Sequence, residues 1–401
     1  MKIIILIIIL CASTQVFSQT NSDEVVVKNI SGIGSSEDEA KLNGAKNAIF
    51  QVFGGNLTSV YLEKFEKIVE NYLEVKSDGY TRIIGNEKSE ILPDGKYKYT
   101  ADWAVSKNVL TQDLKEINNF LSGIKIVVMH KICDENIENY SQVDYLTSAL
   151  TKKFEYQNLQ TISYIQYKEE ILLYCKNNLP FKYDNKGYLD NICNENSAEF
   201  VAFTTQVKID SSSFPNQSLF KCNTRITFSV FDRCQDNNFY TPTNSTTACK
   251  GALSMKESII NDCISQNVDK FFMSFYVLFL NELSDWVNNG RPYRIVFQVP
   301  ESYRASRVDE ILTLFISEIS NKYPRIKIKE EGGTQITSND TIHKYYNRLL
   351  KIPVICSHET IKETIRTNMK FEFEKKYPGY TIDYDDYKGK RSLYLIVEKK
   401  L

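Results

Sequence analysis

Val201-Ala202-Phe203-Thr204-Thr205-Gln206-Val207-Lys208-Ile209 alternates, with Val201, Phe203, Thr205, Val207 and Ile209 on one side. A period of two in β-branched and aromatic residues marks a strand with one covered face. Ile226, Phe228 and Val230 repeat the pattern further on, and a helical run follows from about Ser254 to Val287. Two apolar strand faces need a cover, and a long helix supplies one. Upstream, Ile124–Val128 reads as a short strand, and a helix carries Val143, Leu146, Leu150 and Phe154. Leu159–Tyr164 is a second strand and Gln166–Asn177 a second helix. This βαβα-ββ-α order predicts helices packed on a mixed sheet over residues 122–289.

The flanking stretches have patterns of their own. In residues 19–115, Val25-Val26-Val27 leads into Ser31-Gly32-Ile33-Gly34, and Ser36 with Glu39 forms an S-x-x-E capping box. Ala45, Ala48, Ile49, Val52 and Phe53 then share one helical face, closed by Gly54-Gly55. A second helix carries Leu57, Tyr61, Phe65, Ile68 and Tyr72 on one side. Two strands turn at Pro93-Asp94-Gly95, the second with Tyr97, Tyr99, Ala101, Trp103 and Val105 on one side. Gly32 and Gly34 read as a strand-to-helix turn that uses glycine for backbone freedom. A pyrophosphate site is rejected, since the third glycine is missing and Glu37-Asp38-Glu39 would repel the ligand.

Residues 290–401 begin with a strand (Ile295, Phe297, Val299) and a helix (Val308, Ile311, Leu312, Phe315, Ile319) that stops at Tyr323-Pro324. A strand at Ile326 and Ile328 follows, then helices from about Thr341 and about Glu359. A hairpin around Lys388-Gly389 pairs Ile382–Tyr384 with Leu393–Val397. The expected fold class is α+β and α/β multidomain: helices on small mixed or antiparallel sheets, in three successive modules.

Two resemblances attach to these segments. The runs S-G-I-G-S-S-E-D-E-A, A-K-N-A-I-F-Q-V-F-G-G, S-D-G-Y-T-R-I-I and D-G-K-Y-K-Y-T-A-D-W-A-V resemble the amino-terminal domain of flagellar assembly protein T. Residues 122–289 are similar, in element order, to the α/β domain of the TolB amino-terminal region and of the curli channel protein. The first resemblance implies a non-catalytic module of the Gram-negative envelope and brings no catalytic residue with it; the second is a likeness of element order. Residues 290–401 match no family.

The amino terminus points the same way. Met1-Lys2, the apolar run Ile3–Leu10 and Val16-Phe17-Ser18 before Gln19 have the pattern of a signal peptide over residues 1–18. Bulky Leu10 argues against lipidation at Cys11. The expected location is the periplasm or the periplasmic face of the outer membrane, with peripheral membrane association at most. Phe271–Leu280, the most apolar run of the mature chain, makes only about 15 Å of helix, half of the roughly 30 Å bilayer core. It reads as a core helix, so no transmembrane helix is expected.

Eight cysteines remain beyond the leader. Cys234 and Cys249 bracket a polar loop and are the first candidate disulfide; Cys175 with Cys193 is the second. That loop carries Phe239 and Tyr240 and reads as an exposed partner-contact element. Alanine at both positions is then expected to cost less than about 1 kcal/mol.

Basic and acidic residues balance at 49 and 50, which disfavours a nucleic-acid partner. Three histidines leave little material for acid–base or metal chemistry. The sequence carries no nucleophile elbow, HExxH motif or Walker loop. Cys356 and His358 are too close in the chain to form a nucleophile–base pair on a strand. Asp383, Asp385 and Asp386 lack the glycine-turned loop of a calcium site and read as a solvated strand end. No catalytic, cofactor-binding or metal residue is therefore expected. The function read from sequence is a non-catalytic envelope scaffold that docks other envelope proteins. The alternative is a secreted glycan- or peptide-binding protein, or a hydrolase, with its site in a cleft between residues 122–289 and 290–401.

Overall fold

The computed structural model describes residues 24–53, 65–130, 140–157, 159–163, 193, 196–235, 237–303, 305–324, 327–332, 335–336, 343–386 and 391–400. The leader, Gly54-Gly55, Leu57, Tyr61, Gln166–Asn177 and Lys388-Gly389 fall outside them. The fold is α+β and α/β, with helices on three small sheets. The chain forms two compact units, Met1–Lys115 and Glu116–Leu401.

The first unit is built from β1 (Glu24–Gly34), α1 (Glu37–Phe53), α2 (Glu66–Lys76), β2 (Thr81–Ile91) and β3 (Tyr97–Ser106). The strands form an antiparallel sheet in the order β1-β3-β2. Ser36 Oγ accepts the Glu39 amide at 3.2 Å and so caps α1. The Glu39 carboxylate reaches back to the Ser35 amide and hydroxyl, one residue further out than the capping-box pattern requires.

Gly32 and Gly34 serve a purpose other than backbone freedom. A Cβ on Gly32 would lie 2.1 Å from the Gly44 amide nitrogen, and one on Gly34 2.5 Å from that of Ala40. Both glycines let the backbone of α1 lie directly on β1. Each outer strand carries an irregularity at an asparagine with positive φ, Asn29 and Asn86. Asp102, on the central strand, serves both: its carboxylate accepts the Asn29 amide at 2.8 Å and the Asn86 side-chain amide at 2.7 Å.

The second unit contains two sheets. α3 (Lys107–Ser122) leads into β4 (Lys125–His130), α4 (Tyr140–Tyr156), β5 (Gln160–Ser163), β6 (Phe200–Phe214), β7 (Leu219–Asp232), β8 (Asn237–Ala252) and α5 (Lys256–Asn289). The strand order is β5-β4-β6-β7-β8, parallel through β5, β4 and β6 and antiparallel beyond. α5 covers one face. Phe271, Phe272, Phe275 and Phe279 are buried, while Met273, Val277 and Leu278 are exposed. The Phe271 and Phe228 rings stack at 4.4 Å. No described helix is long and apolar enough to cross a membrane.

The second sheet uses β9 (Arg291–Pro300), α6 (Ala305–Lys322), β10 (Lys329–Gly332), β11 (Gln335–Ile336), β12 (His343–Ile352), α7 (His358–Thr364), α8 (Lys370–Lys376), β13 (Tyr380–Asp386) and β14 (Ser392–Lys399). A π-helical turn, Ile365–Met369, joins α7 to α8. The order is β10-β12-β9-β14-β13, with β11 beside β12 and β9 parallel to β14. Tyr293, Ile295, Phe297 and Val299 of β9 meet the apolar stripe of α6 in one core.

Two expectations about elements need correction. The segment from Thr341, expected as a helix, contains the inner strand β12. Tyr346 and Leu350 are four apart, a spacing that repeats a face in both a helix and a strand, so periodicity could not choose. The stretch between Cys234 and Cys249, expected as a loop, is mostly β8, paired along β7. The stretches 122–289 and 290–401, expected as separate modules, lie in one compact unit.

Candidate functional site

At the start of β9 the chain makes an abrupt transition. α5 ends at Gly290, whose φ of +101° suits glycine and whose backbone lies close to that of Ile352. Arg291 follows at once, and its side chain is buried. Its Nη1 donates to the Val354 carbonyl at 3.1 Å and its Nη2 to the Cys356 carbonyl at 2.8 Å. The guanidinium lies over Phe120, 5.2 Å from the ring centroid, and 5.8 Å from that of Tyr293. Its Nε has no partner, and no described carboxylate forms an ion pair with it. Burial lowers its pKa.

Arg291 lines a cavity of about 570 Å³ within the second unit. Glu116 and Phe120 of α3, Ser357, and His358 and Glu359 of α7 contribute to the same wall. Ser357 Oγ caps α7 by accepting the Thr360 amide at 3.1 Å. His358 Nδ1 lies 2.7 Å from the Tyr293 hydroxyl. The cavity therefore combines one buried cation, two carboxylates and an aromatic wall, and its hydroxyl and imidazole groups hold the local fold.

Beside it, a second arginine is arranged quite differently. Arg391 is fully buried, and its Nε donates to Glu199 at 2.7 Å. Its Nη1 and Nη2 donate to the two oxygens of Asp232 at 3.1 and 2.9 Å. Its guanidinium lies 4.4 Å from the Trp286 ring centroid and 4.9 Å from that of Phe200. Burial alone would lower its pKa; Asp232 and Glu199 outweigh that and raise it. Glu199 and Asp232 flank strands of the first sheet and Arg391 immediately precedes β14, so the cluster ties the two sheets together.

The candidate residues from sequence are placed as follows. Cys234 is not joined to Cys249. Its thiol donates to the Arg391 carbonyl at 3.1 Å, and burial pushes its pKa up to about 12. Cys249 lies across the ladder from Cys222 instead. Cys193 is buried, and Cys175 is outside the described residues. Phe239 and Tyr240 are half-buried core aromatics. Phe239 packs edge-on against Phe200, Phe275 and Phe279, and Tyr240 against Phe271 and Phe275. They face α5 and do not form an exposed contact loop.

Cys356 is buried, with its pKa pushed up to about 11 by burial. Asp383 meets Lys370 at 3.3 Å on the surface. Among the described residues, no group of three or more histidine, cysteine or acidic side chains is placed to hold a metal ion. Sequence reasoning missed Arg291, Arg391, Glu199 and Asp232. Each is a charged residue at a strand end, where a solvated position is the ordinary reading.

No protein-family model and no curated protein matches the chain. Among solved structures, lipoprotein GNA1162 from Neisseria meningitidis aligns at a TM-score of 0.25 and 9% identity, over 37% of this chain and 97% of that one. Formyltetrahydrofolate deformylase from Burkholderia mallei ATCC 23344 aligns at 0.20 and 8%, over 53% and 90%. Likenesses at these scores establish neither a shared fold nor a shared activity.

Proposed function

We propose that this is a non-catalytic protein of the cell envelope that works by binding, and that the cavity beside Arg291 takes a carboxylate-bearing ligand such as the end of a peptide. The observation that carries the reading is the buried guanidinium of Arg291, which has no carboxylate partner among the described residues and lines that cavity. A buried guanidinium with no ion-paired carboxylate is costly, and a ligand carboxylate bonded to it would offset part of that cost. Glu116 and Glu359 on the same wall disfavour a ligand that is only anionic. They favour one that also carries an amine or amide donors, as a peptide does.

Two of the polar groups on the wall already have structural tasks, Ser357 as the cap of α7 and His358 beside the Tyr293 hydroxyl, which disfavours them as nucleophile and base. Envelope placement, and partners among other envelope proteins, rest on the leader pattern and on the resemblances of the first two segments. Calorimetric titration of the full chain with short peptides tests the reading. Peptides with a free C-terminal carboxylate should bind at least about tenfold more tightly than their C-terminal amides. Equal affinities would overturn the carboxylate assignment, and cleavage of the peptide during the titration would overturn the non-catalytic one.

A further inference from the structure

Three of the cysteines converge behind the edge of the first sheet. Cys222 of β7 and Cys249 of β8 are direct cross-strand partners. Cys263 of α5 packs onto both: its thiol lies 3.2 Å from the Thr247 carbonyl and 3.5 Å from the Cys222 carbonyl. The Cys263 thiol is also within hydrogen-bonding reach of the thiols of Cys222 and Cys249. Cys222 and Cys263 are about as buried as a side chain can be, at 1% and 0% exposure, whereas Cys249 is half-buried. An oxidant from solvent therefore meets Cys249 first, and the thiol placed between the other two is Cys263.

We propose that Cys249 and Cys263 form a site of oxidative modification, joined as a disulfide that ties edge strand β8 to helix α5, with Cys222 left as a thiol. The oxidant is a small disulfide such as oxidised glutathione. The Cys249 thiolate attacks one glutathione sulfur and expels the other half as a thiolate, giving a mixed disulfide. The Cys263 thiolate then attacks the Cys249 sulfur and expels the second glutathione. Two protein thiols lose two electrons and their two protons, and one glutathione disulfide becomes two thiols. Burial pushes the Cys249 thiol up to about 11 and Cys222 up to about 12. Thiolate is therefore scarce at neutral pH, and oxidation of the folded chain accelerates as the medium becomes alkaline.

The bond would matter at this particular strand. β8 is the outermost strand of its sheet, and its far edge has no ladder partner among the described strands. A covalent tie to α5 would hold that edge in place, as edge strands need to be managed.

The test is incubation of the folded full chain with oxidised glutathione, then alkylation under denaturing conditions and tryptic mapping without reductant. Cleavage at Lys221, Arg225, Arg233, Lys250, Lys256 and Lys270 places the three cysteines on separate peptides. The expected product links Cys263 to Cys249 of the peptide 234–250, assigned by fragmentation because Cys234 lies on the same peptide, and forms about tenfold faster per pH unit between pH 7 and 9. Cys222→Ser should preserve the link, and Cys263→Ser should leave glutathione on Cys249. A link through the Cys222 peptide, or full alkylation of all three thiols, would overturn the proposal.

Discussion

Arg391 and Arg291 lie in the same unit and differ in their partners, carboxylates for Arg391 and backbone carbonyls for Arg291. Arg391 has Glu199 and Asp232 within hydrogen-bond distance and two aromatic rings against its guanidinium. Removing the cation would leave two buried carboxylates uncompensated. Arg391→Met should therefore destabilise the second unit by about 3–5 kcal/mol, read as a lowered denaturant midpoint of Trp286 fluorescence. A loss below about 1 kcal/mol would mean that the cluster is not held as described.

In the first unit the corresponding residue is Asp102, which the Asn29 amide, the Asn86 amide and Lys28 hold below the usual carboxylate range. A group whose folded pKa is depressed contributes stability at neutral pH and loses it as pH falls through the folded value. The expected outcome is that unfolding followed by Trp103 fluorescence becomes easier below about pH 4, and that Asp102→Asn flattens this acid limb. An unchanged acid limb in the variant would assign the titration to other carboxylates.

Elements, more than single residues, decided which parts of the fold were legible in the sequence. Strands with clean alternation, β3, β6 and β7, and helices with a wide apolar stripe, α4 to α6, stood out because burial on one face imposes a period. β8 did not, since much of it is exposed and its sequence, rich in Asn, Thr and Ser, is that of a turn. β12 did not, because the charged Lys344 and Arg348 interrupt the face on which Tyr346, Leu350 and Ile352 are buried. The charged residues of the candidate site were illegible for a related reason: their partners are distant in the chain, 192 residues away for Glu199 and Arg391. Gly32 and Gly34 were visible but misread, since a sequence does not distinguish freedom of φ from closeness of a neighbour.

That distinction can be measured. Gly32→Ala should push α1 away from β1 and cost about 1–3 kcal/mol or more, whereas Gly79→Ala, with nothing within 4 Å of the added methyl, should cost far less. Similar losses at the two positions would refute the close-approach reading. Phe239 and Tyr240, as members of the aromatic cluster on α5, should together cost about 2–4 kcal/mol when both become alanine. A chemical denaturation curve within 1 kcal/mol of the parent would return them to the surface.

At the scale of the whole chain, the two sheets of the second unit depend on each other. The first sheet brings Phe200, Glu199 and Asp232 to its end beside Trp286 of α5, all buried, and their common partner Arg391 comes from just before β14 of the second sheet. Cys234, following the first sheet's β7, donates its thiol to the Arg391 carbonyl. Cutting the chain at Asn289 would expose two aromatic rings and leave both carboxylates without a cation. The junction itself offers a protease little. α5 runs unbroken to Asn289, Arg291 is buried, and the other boundary between the expected modules, residues 116–121, falls in α3, where Ile117 and Leu121 are buried. Limited proteolysis should therefore spare both places, contrary to the reading of three independent modules. The sharper measurement is on the fragment 116–289, whose single tryptophan, Trp286, should emit as a solvent-exposed ring and show no cooperative thermal transition. The parent chain with Trp103→Phe should keep Trp286 buried and lose it in one step. A fragment 116–289 that melts cooperatively with a buried Trp286 would show that the first sheet folds alone, and that the arginine cluster joins two domains instead of completing one.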